Sequence, residues 1–183
     1  FARVSEVVKR RFGLRVKRFE RKNDVYPYAK EIFQLINKAY KELFGYVELT
    51  EKQIDYYVEM YIPLLRLEFL SLVLRQQDNK LVGVAIGLPN MSEALRKAKG
   101  RFLPTGWYYL YKALKGKGNN KVLDLMLVAV DPEYQGKGVN ALIIKEFITS
   151  AQELGMEVAE SNIELETNNK VLSLWDGMDV EQH

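Results

Sequence analysis

The sequence predicts an α+β domain, and three observations carry that prediction. The chain has 183 residues, 48% hydrophobic and 28% charged, which suits one domain with a sizeable core. Two strand-length apolar runs, Phe69–Arg75 and Leu81–Leu88, flank the polar tract 76–80 and read as an antiparallel hairpin. A third apolar run, Leu123–Val130, passes through a glycine-containing turn into a helical pattern.

Each element has its own signal. Residues 3–12 form a short amphipathic helix with Val4, Val7 and Val8 on one face, ended by Gly13. Leu14–Arg21 reads as a strand decorated with Arg and Lys. Ala29, Ile32, Phe33, Ile36, Ala39, Tyr40 and Leu43 keep a 3.6-residue period over Tyr26–Phe44, and Gly45 stops that helix. Thr50 followed three residues on by Gln53 is a capping-box pattern, so a second helix runs from there to Tyr61 and ends at Pro63. After the hairpin, residues 91–114 hold a basic amphipathic helix, then Pro104 and the aromatic cluster Trp107, Tyr108, Tyr109 and Tyr111. Gly116, Gly118, Asn119 and Asn120 form a loop ahead of the strand Leu123–Val130, which Pro132 closes. A helix from Gly138 to Leu154 is capped by Gly155. Val158–Leu165 is a strand and Asn168–Met178 a last helix. Residues 1–13 are expected to be an interdomain helix or linker, and 14–183 the domain itself.

Composition removes whole classes of chemistry. There is no cysteine, and the single histidine is His183. Disulfides, thiolate or His-rich metal centres, cysteine nucleophiles and an internal Ser–His triad are all excluded. No apolar run reaches the roughly 18 residues of a membrane span, and no secretory signal pattern opens the chain. A cytoplasmic protein without a membrane partner is therefore expected. The net charge of +3 is uneven. Residues 1–22 carry nine basic and two acidic side chains (+7), while 151–183 carry one basic and eight acidic (−7). Nucleic-acid binding through Lys9–Lys22 is not expected, since no recognition motif or aromatic interleaving accompanies the charge.

The chemistry concentrates in Leu125–Leu142, LMLVAVDPEYQGKGVNAL. Amides at a helix start have no intrahelical partners, and the helix dipole adds positive potential there. Gly136 and Gly138 let the backbone approach a ligand, and Lys137 adds a cation. The segment is physically a phosphate or pyrophosphate cradle, although neither GxxxxGK[ST] nor GxGxxG is satisfied.

This segment resembles the cofactor motif of the GNAT superfamily of acetyl-CoA-dependent N-acetyltransferases, in which a strand ending in V-x-P precedes R/Q-x-x-G-x-G/A. Val130-Asp131-Pro132 supplies the first part; Gln135, Gly138 and Asn140 supply the second, Asn140 standing where the family has a small residue. Near the C-terminus, Asn168, Val171, Leu174 and Trp175 fall at the spacing of the family's N-x-x-A-x-x-L-Y, with Trp175 in place of tyrosine. The resemblance implies a GNAT-like mixed, mostly antiparallel twisted sheet flanked by helices on both faces, its closing C-terminal hairpin missing here. Overall similarity extends to the C-terminal half of bacterial proteins with two such domains in tandem, which implies an N-terminal partner domain.

The same resemblance implies acyl transfer from acetyl-CoA to a small-molecule or peptide amine, without a metal. The backbone of Val128, Ala129 and Val130 would hold the pantetheine. The amides of Gln135, Gly136, Lys137, Gly138, Val139 and Asn140 would hold the pyrophosphate, and Asn168 would contact the pantetheine or cap its helix. An ammonium must lose a proton before attack, so a general base is wanted. Asp124 lies eleven residues before Gln135, where histone-type members carry a carboxylate. It is either desolvated among Leu123, Leu125 and Leu127, with a raised pKa, or turned to solvent. Indole cannot protonate a departing thiolate, so Tyr111, with Tyr108 and Tyr109, is the candidate to replace that acid or to line the acceptor pocket; the alternative is a packed aromatic patch. Glu157, Glu160, Glu164 and Glu166 either attract a cationic amine or form a solvated strand face. Lys112, Lys115, Lys117 and Lys121 either meet the 3′-phosphate of CoA or line a plain surface loop. The alternative is a non-catalytic module that binds acyl-CoA or scaffolds a partner domain, a reading that Trp175 and Asn140 favour.

Overall fold

Near-continuous apolar runs require cover on both faces, and the two strands of the predicted hairpin lie at the centre of the sheet accordingly. A computed structural model describes residues 2–115, 121–161, 175 and 179–181. Its elements are α1 (Ala2–Phe12), β1 (Leu14–Lys17), α2 (Tyr26–Tyr40), α3 (Glu51–Tyr61), β2 (Leu70–Arg75), β3 (Leu81–Pro89), α4 (Ser92–Ala98), α5 (Gly106–Leu114), β4 (Val122–Val130), α6 (Val139–Glu153) and β5 (Val158–Ser161). The strands form one mixed sheet in the order β1-β2-β3-β4-β5. The first three pairings are antiparallel and β4–β5 is parallel, as the crossover through α6 requires.

Each face of the sheet has its own core. Ile32, Leu35 and Ile36 of α2 pack with Leu72, Leu74, Val84 and Ala129 on one side. On the other, Leu142, Ile143 and Phe147 of α6 and Val8 of α1 pack with Val73, Val82, Ala85 and Leu123. Phe147 lies directly over Gly87, where any Cβ would collide with its ring. α1 is seated on the body through Val8 and the fully buried Ser5.

Several boundaries move from their predicted places. The strand from Leu14 stops at Lys17 rather than Arg21, because only that stretch pairs with β2. α2 ends at Tyr40 instead of Phe44. The chain beyond it is held by Asn37, whose side chain bonds both Leu49 N and Leu49 O and accepts from the Tyr46 hydroxyl. The capping box at Thr50 forms in both directions, the Gln53 amide N–H meeting Thr50 Oγ1 and Gln53 Oε1 meeting Thr50 N. The aromatic cluster after Pro104 is itself helical, as α5. β5 is described as far as Ser161, and the predicted helix Asn168–Met178 lies outside the described residues apart from Trp175.

Candidate functional site

β4 organises the site, because its two edges are treated differently. Along β3 it is paired throughout, but β5 meets it only at Val122–Leu125. From Met126 to Val130 no described strand covers the outer edge. A β-bulge sits where the two neighbours part: Leu127 faces Ile86 and Leu125 faces Gly87, so Met126 is an extra residue. The bulge also resets the faces. Leu123 and Leu125 belong to the α6 side, as do Val128 and Val130, three residues and not two further on.

The backbone of this open edge can be assigned. Asp131 N–H donates to Val82 O at 2.9 Å, which makes their pairing the hydrogen-bonded kind. Alternation then turns the backbone groups of Ala129 towards Val84, and those of Val128 and Val130 to the outer edge. Ala129 thus offers a ligand little main-chain bonding, in contrast to its two neighbours. The outward carbonyls are met by side chains: the Tyr40 hydroxyl donates to Val128 O at 2.9 Å and Gln135 Nε2 to Val130 O at 3.2 Å. Burial pushes the Tyr40 phenol up to about 12.

At the C-terminal end of β4, the turn is fixed by Asp131. Its buried carboxylate accepts from Glu133 N at 3.0 Å and from Lys38 Nζ at 2.9 and 3.0 Å, with Lys80 Nζ at 3.4 Å. Burial raises this carboxyl, but Lys38 and the Glu133 amide outweigh it and hold the group below its ordinary value. The glycines that follow take left-handed conformations, φ +72° at Gly136 and +82° at Gly138. Among the described residues, the amides of Gly136, Gly138, Val139 and Asn140 have no hydrogen-bond acceptor. They open α6, so the positive end of that helix lies with them.

α1 completes this end in a way the sequence did not announce. A Cβ on Gly138 would lie 2.8 Å from Val8 Cγ2, so the glycine admits the helix as well as freeing the backbone. The Lys137 ammonium sits 5.7 Å from the Phe12 ring centre and 5.3 Å from that of Tyr134, and Lys9, Arg10 and Arg11 fill the last turn of α1. Unpaired amides, a helix N-terminus and clustered cations together suit a phosphate or pyrophosphate.

At the opposite end of β4, Asp124 pairs across the sheet with Leu88 and Glu160. The Asn90 amide donates to Asp124 Oδ1 at 2.9 Å and to Glu160 Oε2 at 3.1 Å, bridging two carboxylates. Burial pushes the Asp124 carboxyl up; Asn90 opposes this and the Glu160 charge adds to it. A cleft of about 490 Å³ opens beside this pair, lined by Asn90, Arg96, Lys121, Val122, Glu157 and Val158 among others. Tyr111 stands elsewhere, 55% exposed on α5 with Lys115 Nζ 5.8 Å from its ring centre, and has no hydrogen bond to the Asp124–Glu160 pair. Trp175 lies in a bend and is partly buried; Asn168, Lys117, Glu164 and Glu166 fall outside the described residues. Sequence reasoning missed Tyr40, read only as part of an apolar stripe, and Asn90, which falls between the predicted strand Leu81–Leu88 and the segment from 91 and was given no role.

The candidate site is thus a sheet opened beside a bulged strand, with amides and cations suited to an anion at one end and carboxylates at the other. The profile of the Acetyltransferase (GNAT) family matches residues 29–176, and the chain belongs to that family, whose reaction is acyl transfer. Similar solved structures include an aminoglycoside acetyltransferase from an uncultured soil metagenomic sample, crystallised with trehalose (17% identity, 96% of this chain and 93% of that one, TM-score 0.58). Another is a putative acetyltransferase from Salmonella typhimurium with its cofactor acetyl-CoA (15% identity, 91% and 78%, TM-score 0.54). Among curated proteins, the bacterial ceramide synthase of Caulobacter vibrioides is 28% identical over 169 residues, 88% of this chain. The chain spans 43% of that relative's length. No helix among the described residues is long and apolar enough to cross a membrane, and none of their His, Asp and Glu residues form a group that could hold a metal ion.

Proposed function

We propose that this chain transfers an acyl group from acyl-CoA to a primary amine. The observation that carries the reading is the edge of β4 at Val128 and Val130, which no described strand covers, leading into the amides of Gly136, Gly138, Val139 and Asn140. A ligand with amide groups along its length can pair with Val128 and Val130 as a short extra strand, and its phosphates can reach the amides of Gly136, Gly138, Val139 and Asn140. Gln135 and Lys137 flank that cradle. The acyl thioester of CoA supplies the activated carbonyl: the ammonium first gives one proton to the carboxylate end of the site, the free amine then forms the C–N bond as the C–S bond breaks, and the second proton lost from nitrogen passes through water to the departing sulfur, so that CoA leaves as its thiol.

Asp124 accepts that proton in this reading. Its raised pKa suits a base that must take a proton from an ammonium near neutral pH and release it to solvent. Asn90 holds the carboxylate in place and Glu160 supplies the second negative charge that attracts the cationic acceptor. The ceramide synthase relative supports an acceptor that is a long-chain amino alcohol, since a ceramide is the N-acyl derivative of one.

Calorimetric titration with acetyl-CoA and CoA tests the cradle, and thiol release across a panel of amines, long-chain amino alcohols included, tests the transfer. Saturable binding followed by amine-dependent release of CoA is expected. Absence of CoA binding overturns the proposal and leaves a family member that serves as a non-catalytic module.

A further inference from the structure

The α4–α5 insert leads away from the expectation that this protein has no membrane partner. It joins β3 to β4 at the carboxylate end of the site, and Ser92 N bonds Asn90 Oδ1 at 2.9 Å. Its two helices pack tightly: a Cβ on Gly106 would lie 3.2 Å from Ala98 Cβ and closer still to the Arg101 carbonyl. That seam uses up the small residues and leaves the large ones outside. Phe102, Leu103, Trp107, Tyr108 and Tyr111 are between 48% and 69% exposed. The segment is tied together, since Trp107 N bonds Phe102 O at 2.8 Å, Trp107 Nε1 bonds Pro104 O at 2.9 Å, and the rings of Trp107 and Tyr108 meet edge to face, with Tyr111 one helical turn further along α5.

The charge within the insert is predominantly positive. Residues 92–115 contain six cations, Arg96, Lys97, Lys99, Arg101, Lys112 and Lys115, against the single anion Glu93. All six are exposed. A net +5 on 24 residues exceeds the +3 of the entire chain. A protein partner needs a complementary shape, but a lipid interface needs only this composition. Trp and Tyr rings seat at the headgroup level, apolar side chains enter the acyl boundary, and Lys and Arg meet anionic headgroups.

We infer that the α4–α5 insert docks on the surface of an anionic lipid bilayer through Phe102, Leu103, Trp107, Tyr108 and Tyr111, ringed by its lysines and arginines. Docking in this pose brings the Asn90–Asp124–Glu160 end of the sheet to the membrane, within reach of an amine that resides there. The docking claim stands on the surface alone; only this link to an acceptor rests on the acyl-transfer reading.

Co-sedimentation of the full-length protein with sucrose-loaded vesicles tests it. Vesicles of phosphatidylcholine with about one-third phosphatidylglycerol are expected to bind the protein, pure phosphatidylcholine to bind far less, and salt to weaken the interaction. Each surface cation is worth about fivefold in partitioning, so Arg101→Gln with Lys112→Gln should cost about 25-fold. Phe102→Ser with Leu103→Ser should lower binding at least tenfold at every salt concentration, with an unchanged thermal unfolding curve as the control for folding. Failure to bind anionic vesicles overturns the inference. So does undiminished binding by either double variant, and so does a solution dimer that Phe102→Ser with Leu103→Ser dissolves, which would assign the patch to a second copy. Each of these readouts is independent of CoA binding and turnover.

Discussion

Gly138 is where the cradle and α1 meet, and replacing it by alanine separates two roles that a single substitution confounds. The backbone there has φ +82°, and a left-handed conformation costs a residue with a Cβ about 1–2 kcal/mol. The new Cβ would also stand 2.8 Å from Val8 Cγ2, with Val4 Cγ1 at 3.8 Å. Val8 is 5% exposed and belongs to the α6-side core, so it has little room to retreat. Overpacking of this kind costs about 1–3 kcal/mol, giving a total near 2–5 kcal/mol for Gly138→Ala. Val8→Ala alone leaves a small void and costs about 1–2 kcal/mol. Combined with Gly138→Ala it removes the clashing methyl, so the double variant should be more stable than the sum of the singles by about 1–3 kcal/mol. The assay is a double-mutant cycle by urea denaturation, with acetyl-CoA titration on all four proteins. Additivity to within about 0.5 kcal/mol would show that α1 does not rest on Gly138, and the packing argument would fall. If the double variant regains stability and still does not bind CoA, the left-handed turn itself is what the ligand requires.

Three further outcomes follow from the described geometry. Asp131→Asn keeps the shape of the V-x-P turn but loses the charge opposite Lys38; because Lys38 is half exposed, solvent screening holds the loss to about 1 kcal/mol. The native pKa of Asp131 lies below 3.8, so its stabilisation is full above that value and disappears as pH falls through the native pKa. Melting curves of the wild type and of the Asp131→Asn variant, recorded down a pH series, should therefore converge in acid, and a constant gap would refute the charge argument. Asp124→Asn should lower kcat about a hundredfold or more with CoA binding intact, and the acidic limb of the wild-type pH–rate profile should lie above the usual carboxylate range; an unchanged rate with amine saturating would remove Asp124 from the chemistry. Thr50→Ala removes the Oγ1 half of the capping box, leaving the bond from the residue-50 amide to Gln53 Oε1, and should cost about 1 kcal/mol, read as a small fall in Tm with no change in CoA affinity.

Periodicity revealed the helices because burial is a one-face property: Ile32 and Ile36 are buried, and Leu142 and Ile143 likewise. Helix ends were less legible. The apolar stripe of α2 continues to Leu43, but the helix stops at Tyr40, where contacts of Asn37 with a loop twelve residues on take over. The cradle could be read locally, since glycines, a V-x-P turn and a helix start lie within about a dozen positions. The carboxylate end could not. Asn90, Asp124 and Glu160 come from three strand ends separated by 34 and 36 positions, and only the register of β3, β4 and β5 brings them together. The fit of α1 against Gly138 is longer-ranged still, spanning 130 positions. Tyr40 was hidden for another reason: its ring obeys the apolar period while its hydroxyl serves the sheet edge.

The outer edge of β4 has a second consequence, for what this protein must refuse. A run of unpaired main-chain groups is a template for any passing strand, and such edges are where chains join and aggregate. Here the hazard is kept short. Pairing with a foreign strand is interrupted on one side by the bulge at Met126 and on the other by the turn at Pro132. Between them the two outward carbonyls are already engaged by Tyr40 and Gln135. An intruding polypeptide would have to evict both side chains to gain a two-residue ladder. A ligand anchored independently, as by phosphates at the glycine turn, would bear that cost from a stronger position, so the same two hydrogen bonds that guard the edge would also select what is admitted to it.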